Sequence, residues 1–402
     1  MTTPHRDDPI LIAGGGIGGL GAALALARKG HAVHVLEREA EFAEVGAGIQ
    51  LAPNVFKMFE RLELTDAILK TAVLPEALVM LDGLSGEAIT RIPVNSNAFR
   101  TRFNFPYAVT YRPDLHSALL EACRAEPLIA FNNAAPVEGF EDTGSGVRVF
   151  TREGREFSGA ALIAADGVWS QMREKLVGDG KPRISGHIAY RAVLPVSAVP
   201  EHLRLQAAVL WAGPKTHLVH YPLHRGEIFN LVAVFHSDRY EEGWNEFGAP
   251  DELALRFRGQ HRDVLAMLER IASWRMWVLC DREPVRNWSS GRVTLLGDAA
   301  HPMLQYLAQG ACMAIEDAVC LASKVEAYRN DYAAAFLAYQ NARYLRTARV
   351  QLTARFYGDL YHAAGVTAEL RALMLKDRTP EQAYDGVQWL YAGIDADGCQ
   401  QL

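Results

Sequence analysis

Apolar residues fall into two rhythms along this chain. Near the start, Ile10 to Ala13 is a short continuous apolar run, which predicts a buried strand. Leu20 to Lys29 is rich in Ala and Leu and predicts a helix, stopped by Gly30. His31 to Leu36 predicts the next strand, and Glu37 ends it. Strand, helix and strand in that order form a β-α-β unit and imply a parallel sheet. Leu162 to Ala165 and Val293 to Leu296 are apolar runs of the same kind and predict further strands of that sheet.

The middle of the chain alternates instead. Leu78 to Leu81 and Ala88 to Ile92 flank an Asp-Gly-Leu-Ser-Gly turn and predict a hairpin. Ala189 to Val196, Ala207 to Trp211, Thr216 to Pro222 and Ile228 to Phe235 predict strands at meander spacing. Gly213-Pro214 and His224-Arg225-Gly226 supply the turns. These stretches predict an antiparallel sheet inserted into the first fold. From Gly310 onward the pattern is mainly helical.

Composition narrows the class. The chain has 402 residues, half of them hydrophobic, enough for a sizeable core. A net charge of -6 and a pI near 6.1 argue against a nucleic-acid partner. Five scattered cysteines without a C-x-x-C read as reduced thiols in a cytosolic enzyme. Met1 to Pro9 is polar, so no signal peptide is expected. No run approaches the roughly 18 apolar residues of a membrane span. The expected location is cytoplasmic. Arg343, Arg346 and Arg349, three apart, predict one side of a helix that is solvated or faces another subunit. Trp274 and Trp277 read as core or interface residues.

Three motifs carry chemistry. Gly14, Gly16 and Gly19 match G-x-G-x-x-G between strand and helix. Such glycines permit a tight turn, close approach to a pyrophosphate and close helix packing. Glu37 lies where a carboxylate accepts both ribose hydroxyls, and its neighbour Arg38 is a further cofactor candidate. Asp166-Gly167 follows the second apolar strand and opens D-G-x-x-S-x-x-R through Ser170 and Arg173. A strand-end turn with Ser170 as helix cap is the simpler alternative there. Gly297-Asp298 follows the third strand, and Asp298 can accept hydrogen bonds from sugar or ribityl hydroxyls, or merely end the strand. A chain holding a dinucleotide from two ends suggests FAD more than NAD.

The ordered triple of glycine motif, D-G and G-D resembles the single-component FAD aromatic hydroxylases, the p-hydroxybenzoate hydroxylase-like flavoprotein monooxygenases, over nearly the whole chain. The resemblance implies an α/β fold: a discontinuous Rossmann-like FAD-binding domain (1–75, 104–183, 281–330), an inserted antiparallel-sheet substrate domain (76–103, 184–280) and a C-terminal helical region (331–402). Glu44 to Gln50 is similar to the family loop beside the flavin, with Gln50 near it. Tyr111 to His116 is similar to the segment whose arginine reaches FAD, here Arg112. Pro302 would pack near the flavin ring. The helix opening at Gly310-Ala311 would point its positive end at reduced flavin, which is anionic.

His301 to Gly310 and Thr216 to Leu223 resemble more narrowly the family's 3-hydroxybenzoate 6-hydroxylase branch, which makes gentisate. Strand alternation puts His217, Val219 and Tyr221 on one face and His220 on the other. A His and a Tyr in apolar surroundings suit a planar phenolic ring, although a lone sheet histidine is often only a satisfied core residue. By resemblance, His217 and Tyr221 bind or deprotonate the phenol, and Gln305 orients it from the flavin side. His217 is expected near its ordinary pKa range as the base. The implied chemistry is NADH- and O2-dependent hydroxylation para to the phenol through a flavin C4a-hydroperoxide, in a homodimer. Salicylate or another hydroxyaromatic acid, or a reductase that transfers no oxygen, stay open as alternatives. His217, His220 and His224 diverge on a strand, so no metal is expected.

Overall fold

The computed structural model describes residues 8–42, 46–237, 246–329 and 331–400. Glu44 and Val45 of the loop before Gln50 lie outside them. Ile10–Ala13 is fully buried and pairs in parallel with Val33–Leu36 on one side and Ala161–Ala164 on the other. Ile129–Asn132 and Val293–Leu295 extend the sheet outward, again in parallel. The two innermost, Ile10–Ala13 and Ala161–Ala164, are buried on both faces and need continuous apolar sequence, which is why those runs are legible, whereas the edge strand Ile129–Asn132 is only partly buried. The short pair Ser289–Ser290 closes one edge antiparallel. The helix begins earlier than its Ala/Leu run implies, at Ile17, and ends at Ala27.

The chain leaves the central strand in two directions, and ligands bind outside the carboxyl ends of strands at such a switch point. All three motifs stand at that edge. Gly14 has φ +112°, and a Cβ there would lie 2.4 Å from the carbonyl oxygen of Ala165. A Cβ on Gly19 would lie 1.9 Å from the carbonyl oxygen of Gly14. The glycines therefore hold the first two motifs in contact.

The second sheet has eight strands in the order Glu246–Phe247, Arg275–Asp281, Arg183–Pro195, Ile228–His236, Thr216–Leu223, Ala207–Gly213, Ala77–Asp82 and Ala88–Pro93. It departs from the expected antiparallel meander in two ways. Ala207–Gly213 pairs in parallel with Ala77–Asp82, because the nucleotide-binding portion between them supplies the long connection that parallel pairing needs. Arg183–Pro195 pairs with Ile228–His236, not with its successor. Two 3-10 turns, Val196–Ala198 and Glu201–Leu203, carry the chain past two strand positions first. One face of this sheet packs a core with Leu253, Phe257, Val264 and Met267 of the helices beneath. The other face looks toward the parallel sheet.

Helices Gly310–Ala327, Tyr332–Tyr361, Val366–Leu375 and Pro380–Tyr391 complete the chain. No helix among the described residues is long and apolar enough to cross a membrane. The three-arginine face is not a solvated one. Arg343 and Arg346 are buried, and only Arg349 is exposed, stacked 4.0 Å over the ring of Trp389. Arg343 Nε donates to Asp317 at 2.7 Å, and Arg346 Nε and Nη2 grip Glu316 at 2.7 and 2.8 Å. Two adjacent acids on the preceding helix thus turn what would be an outward charge stripe into a core one.

Candidate active site

A cavity of about 530 Å³ runs between the two sheets. Its nucleotide-side wall includes Gly16, Gln50, Arg112, Gly167, Asp298, Pro302, Gly310 and Ala311. Its other wall is the inner face of the second sheet, with His217, Tyr221 and the adjoining Gln305. Thus residues nearly 300 positions apart line one continuous space.

The nucleotide side fits FAD. A Cβ on Gly16 would meet nothing within 4 Å, so the backbone is open to a phosphate where helix Ile17–Ala27 begins. Helix Gly310–Ala327 opens into the cavity with no side-chain cap, leaving amide donors for an anion. Asp166 Oδ2 caps the helix Gln171–Leu176 through the amides of Gln171 and Met172, while Oδ1 is buried without a partner. Ser170 is indeed a helix cap, accepting from Arg173 N at 2.9 Å. Arg173 does more: its Nη1 donates to the carbonyls of Ala299 and Ala300 at 3.1 and 2.5 Å, tying the D-G segment to the G-D turn. Asp298 is open to the cavity but enclosed by protein, and that enclosure raises its carboxyl above the usual range.

The G-D turn is braced from behind. Asp317 Oδ2 accepts from Gly297 N at 3.1 Å and lies 2.5 Å from His301 Nε2. Asn54 Nδ2 joins Glu316 to Gln309 at the helix start. The arginine–acid cluster therefore fixes both cofactor-facing turns. Gln50 accepts from Tyr107 Oη at 2.6 Å, which orients its amide. Glu37 and Arg38 stand outside the cavity. Glu37 accepts from Gly15 N at 2.6 Å and Glu39 N at 2.8 Å, which presents the carboxylate at the strand end. Arg38 is exposed and paired with Glu39.

On the sheet side, His217, Val219 and Tyr221 share the cavity face, and His220 faces the opposite core, accepting from Trp211 Nε1 at 3.1 Å. His217 is not near its ordinary pKa range. Burial, then neighbouring His187 and His236, push it down to about 3. Burial pushes the Tyr221 phenol well up, so it is a neutral donor. Neither ring stores charge at neutral pH.

Two features escaped the sequence. Arg191 lies in the cavity, its guanidinium 5.0 Å over Trp277 and its Nη2 2.5 Å from Gln305 Oε1. Its Nε is buried without a partner, and burial lowers its pKa to about 10, leaving it cationic. Trp277 is accordingly a cavity wall and not plain core, whereas Trp274 is core. The signal was a single charge inside the apolar strand Ala189 to Leu194. The second feature is His362, whose Nε2 is 2.7 Å from His217 Nδ1. His217, His220 and His224 do not converge: His220 meets Trp211 and His224 meets Asp114. His187, His236 and His362 do, with ring nitrogens within 4.8 Å of one another.

A family model described as FAD binding domain matches residues 7–353. The chain belongs to the FAD-binding flavoprotein monooxygenases: it is an aromatic hydroxylase with FAD as cofactor. It is 46% identical over 399 residues to 3-hydroxybenzoate 6-hydroxylase of Polaromonas naphthalenivorans (strain CJ2), covering 99% of each chain. It is 34% identical over 351 residues to 6-hydroxynicotinate 3-monooxygenase of Bordetella bronchiseptica, covering 85% of this chain and 89% of that relative. A crystal structure of Klebsiella pneumoniae HpxO complexed with FAD and uric acid matches with a TM-score of 0.83 at 26% identity, covering 94% of this chain and 95% of that one.

Proposed function

We propose that the enzyme hydroxylates 3-hydroxybenzoate at the position para to its hydroxyl, giving gentisate, with NADH as reductant. The observation that carries the reading is the sheet-side wall of the cavity, where His217, Tyr221 and Gln305 stand with the cationic guanidinium of Arg191, which bonds Gln305. A ring acid needs an apolar slot, a partner for its hydroxyl and a cation for its carboxylate. Arg191 with its unpartnered Nε suits the carboxylate. The neutral His217 suits the hydroxyl as acceptor, and Tyr221, roughly 13 Å further along the same strand face, is a neutral donor for another polar group of the bound ring. Bound FAD, reduced by the nicotinamide, supplies transfer of one oxygen atom from O2. The chain's own residues orient the ring, exclude water and receive the phenolic proton. The relative named above at 46% identity supports this substrate, and the one at 34% identity marks other hydroxyaromatic acids as the alternatives to test.

The choice of NADH rests on the family resemblance. A homodimer is supported by exposed apolar side chains on two neighbouring helices: Leu345, Leu352 and Phe356, then Leu370 and Leu373. A cytoplasmic location agrees with five free cysteines. Purified holoenzyme is assayed with NADH or NADPH and with 3-hydroxybenzoate, salicylate or 4-hydroxybenzoate, following product and H2O2. Gentisate from 3-hydroxybenzoate, in step with NADH consumed, is the expected result. Stimulated oxidation that yields only H2O2 would reduce 3-hydroxybenzoate to an effector and refute the reading.

A further inference from the structure

His217 faces a difficulty as a base. A buried imidazole that resists protonation holds a phenolic proton poorly, and the partner of His217 is another imidazole and not a carboxylate; Asp298, also in the cavity lining, belongs to the nucleotide-side wall. The structure continues beyond His217. Its Nδ1 is 2.7 Å from His362 Nε2, and His362 Nδ1 is 2.9 Å from His236 Nε2. His217 and His362 are buried, while His236 is half-buried at the end of its strand. Three rings thus form one hydrogen-bonded file from the cavity toward solvent, drawn from the strands Thr216–Leu223 and Ile228–His236 and from the end of helix Tyr332–Tyr361.

We propose that His362 and His236 are the outer stations of a proton relay that begins at His217 and carries the substrate's phenolic proton to water. The inference rests on the phenolic-acid reading above. His362 has one ring neighbour on each nitrogen, and His217 and His236 each keep a second nitrogen for the proton's entry and exit, so the file has a direction. His217 Nε2 accepts the substrate proton as the substrate O–H breaks. His217 Nδ1–H passes to His362 Nε2, and His362 Nδ1–H passes to His236 Nε2. His236 releases its Nδ1 proton to water. One proton enters, one leaves, and every ring is neutral before and after. The tautomers return to the start when the product oxygen takes a proton back along the same file, so no ring must turn over.

The surroundings hold the file in register. His187 stacks on His236 with centroids 4.2 Å apart, and its Nδ1 is 2.5 Å from Tyr306 Oη. Tyr361 Oη donates to the carbonyl of Tyr306 at 3.2 Å, closing the wall around His217. At the outer end Lys215, Arg256 and Asp359 act on His236 electrostatically. The same hydrogen bonds occupy both nitrogens of His362 and the Nε2 of His236. An ordinary core histidine is satisfied by a carbonyl or a carboxylate; here ring nitrogens are satisfied by ring nitrogens, which is the arrangement that conducts.

The test uses FAD-loaded enzyme and the phenolic acid it hydroxylates best. His236→Ala and His362→Gln are compared with wild type for kcat, KM, FAD content and the solvent deuterium isotope effect. General-base steps are worth about 100-fold or more, so a broken relay should cost kcat at least ten-fold while KM and FAD content hold. Imidazole added to His236→Ala enters at the half-buried end and should restore turnover. Mixtures of H2O and D2O should give a curved rate dependence in wild type and a straight one in His362→Gln, since several protons move only when the file is whole. Variant turnover within two-fold of wild type overturns the relay alone. A loss that follows FAD content, or that imidazole leaves untouched, makes the rings structural and also overturns it. If wild-type enzyme hydroxylates no phenolic acid, the functional reading falls and the relay with it.

Discussion

Arg191→Met is the most informative single change. Methionine keeps the stem that covers Trp277 and removes only the charged fork. If the guanidinium holds the substrate carboxylate, its loss removes one charge-assisted hydrogen bond in an enclosed site, about 1.5–3 kcal/mol. That converts to a fall of about 10- to 150-fold in kcat/KM. A complication is built into the geometry, because Arg191 Nη2 also donates to Gln305 Oε1 at 2.5 Å. Removing it also frees that amide. The assay therefore pairs 3-hydroxybenzoate with phenol, which has the hydroxyl and no carboxylate. The expected outcome is a large loss on the acid and little on phenol. An equal loss on both would refute the anchor and make Arg191 a positioning residue acting through Gln305. No loss on either would refute both roles.

Three further outcomes follow from the buried groups. Arg346→Met removes four hydrogen bonds, two to Glu316 and one each to the carbonyls of Trp389 and Leu390, and takes one of two arginine partners from a buried acid. Arg343 still neutralises Glu316 at 2.7 Å, so the loss should sit near the lower end, about 3 kcal/mol, read as a fall in denaturation midpoint; an unchanged midpoint would count against the network. His187, His217 and His220 are held by burial at about 4, 3 and 4, below the ordinary 6.5. The unfolded chain binds their protons first as pH falls, so stability is complete above about pH 6.5 and declines toward pH 4, by on the order of 2 kcal/mol per ring at pH 5. Unfolding free energies at pH 7.5 and 5.5 check this, and a slope below one proton would refute it. Cys320 Sγ and Cys399 Sγ lie 3.0 Å apart, and the hydrogen bond from Cys320, with Lys324, lowers Cys399 to about 7. Mild peroxide should join them with loss of two hydrogens by intact mass, and Cys399→Ser should abolish that loss.

How much was legible depends on how far apart the interacting residues are in the chain. Gly14, Gly16 and Gly19 announce their turn because tight backbone approach restricts residue type at once, within six positions. Ile10–Ala13 and Ala161–Ala164 announce themselves because burial on both faces leaves no polar position in them. The face shared by His217 and Tyr221 follows from strand alternation alone. The parallel pairing of Ala207–Gly213 with Ala77–Asp82 did not follow, since it joins segments about 130 residues apart and no local turn encodes it.

The charged residues show the limit most clearly. Three arginines at helical spacing normally face water, because an unpaired buried guanidinium is too costly. What reverses the rule here is Glu316-Asp317, two acids inside the buried first half of their helix, and neither set alone reveals the pairing. The same logic applies to His217. Its partner His362 lies 145 positions away at the end of a helix whose sequence has no histidine pattern. A base judged by its intrinsic pKa alone looked ready to hold a proton; burial in the fold disfavours the protonated ring, and the proposed relay is the answer to that. On the proposed relay the functional unit is the hydrogen-bonded file and not the residue, and a file assembled from two strands and a helix end has no linear signature.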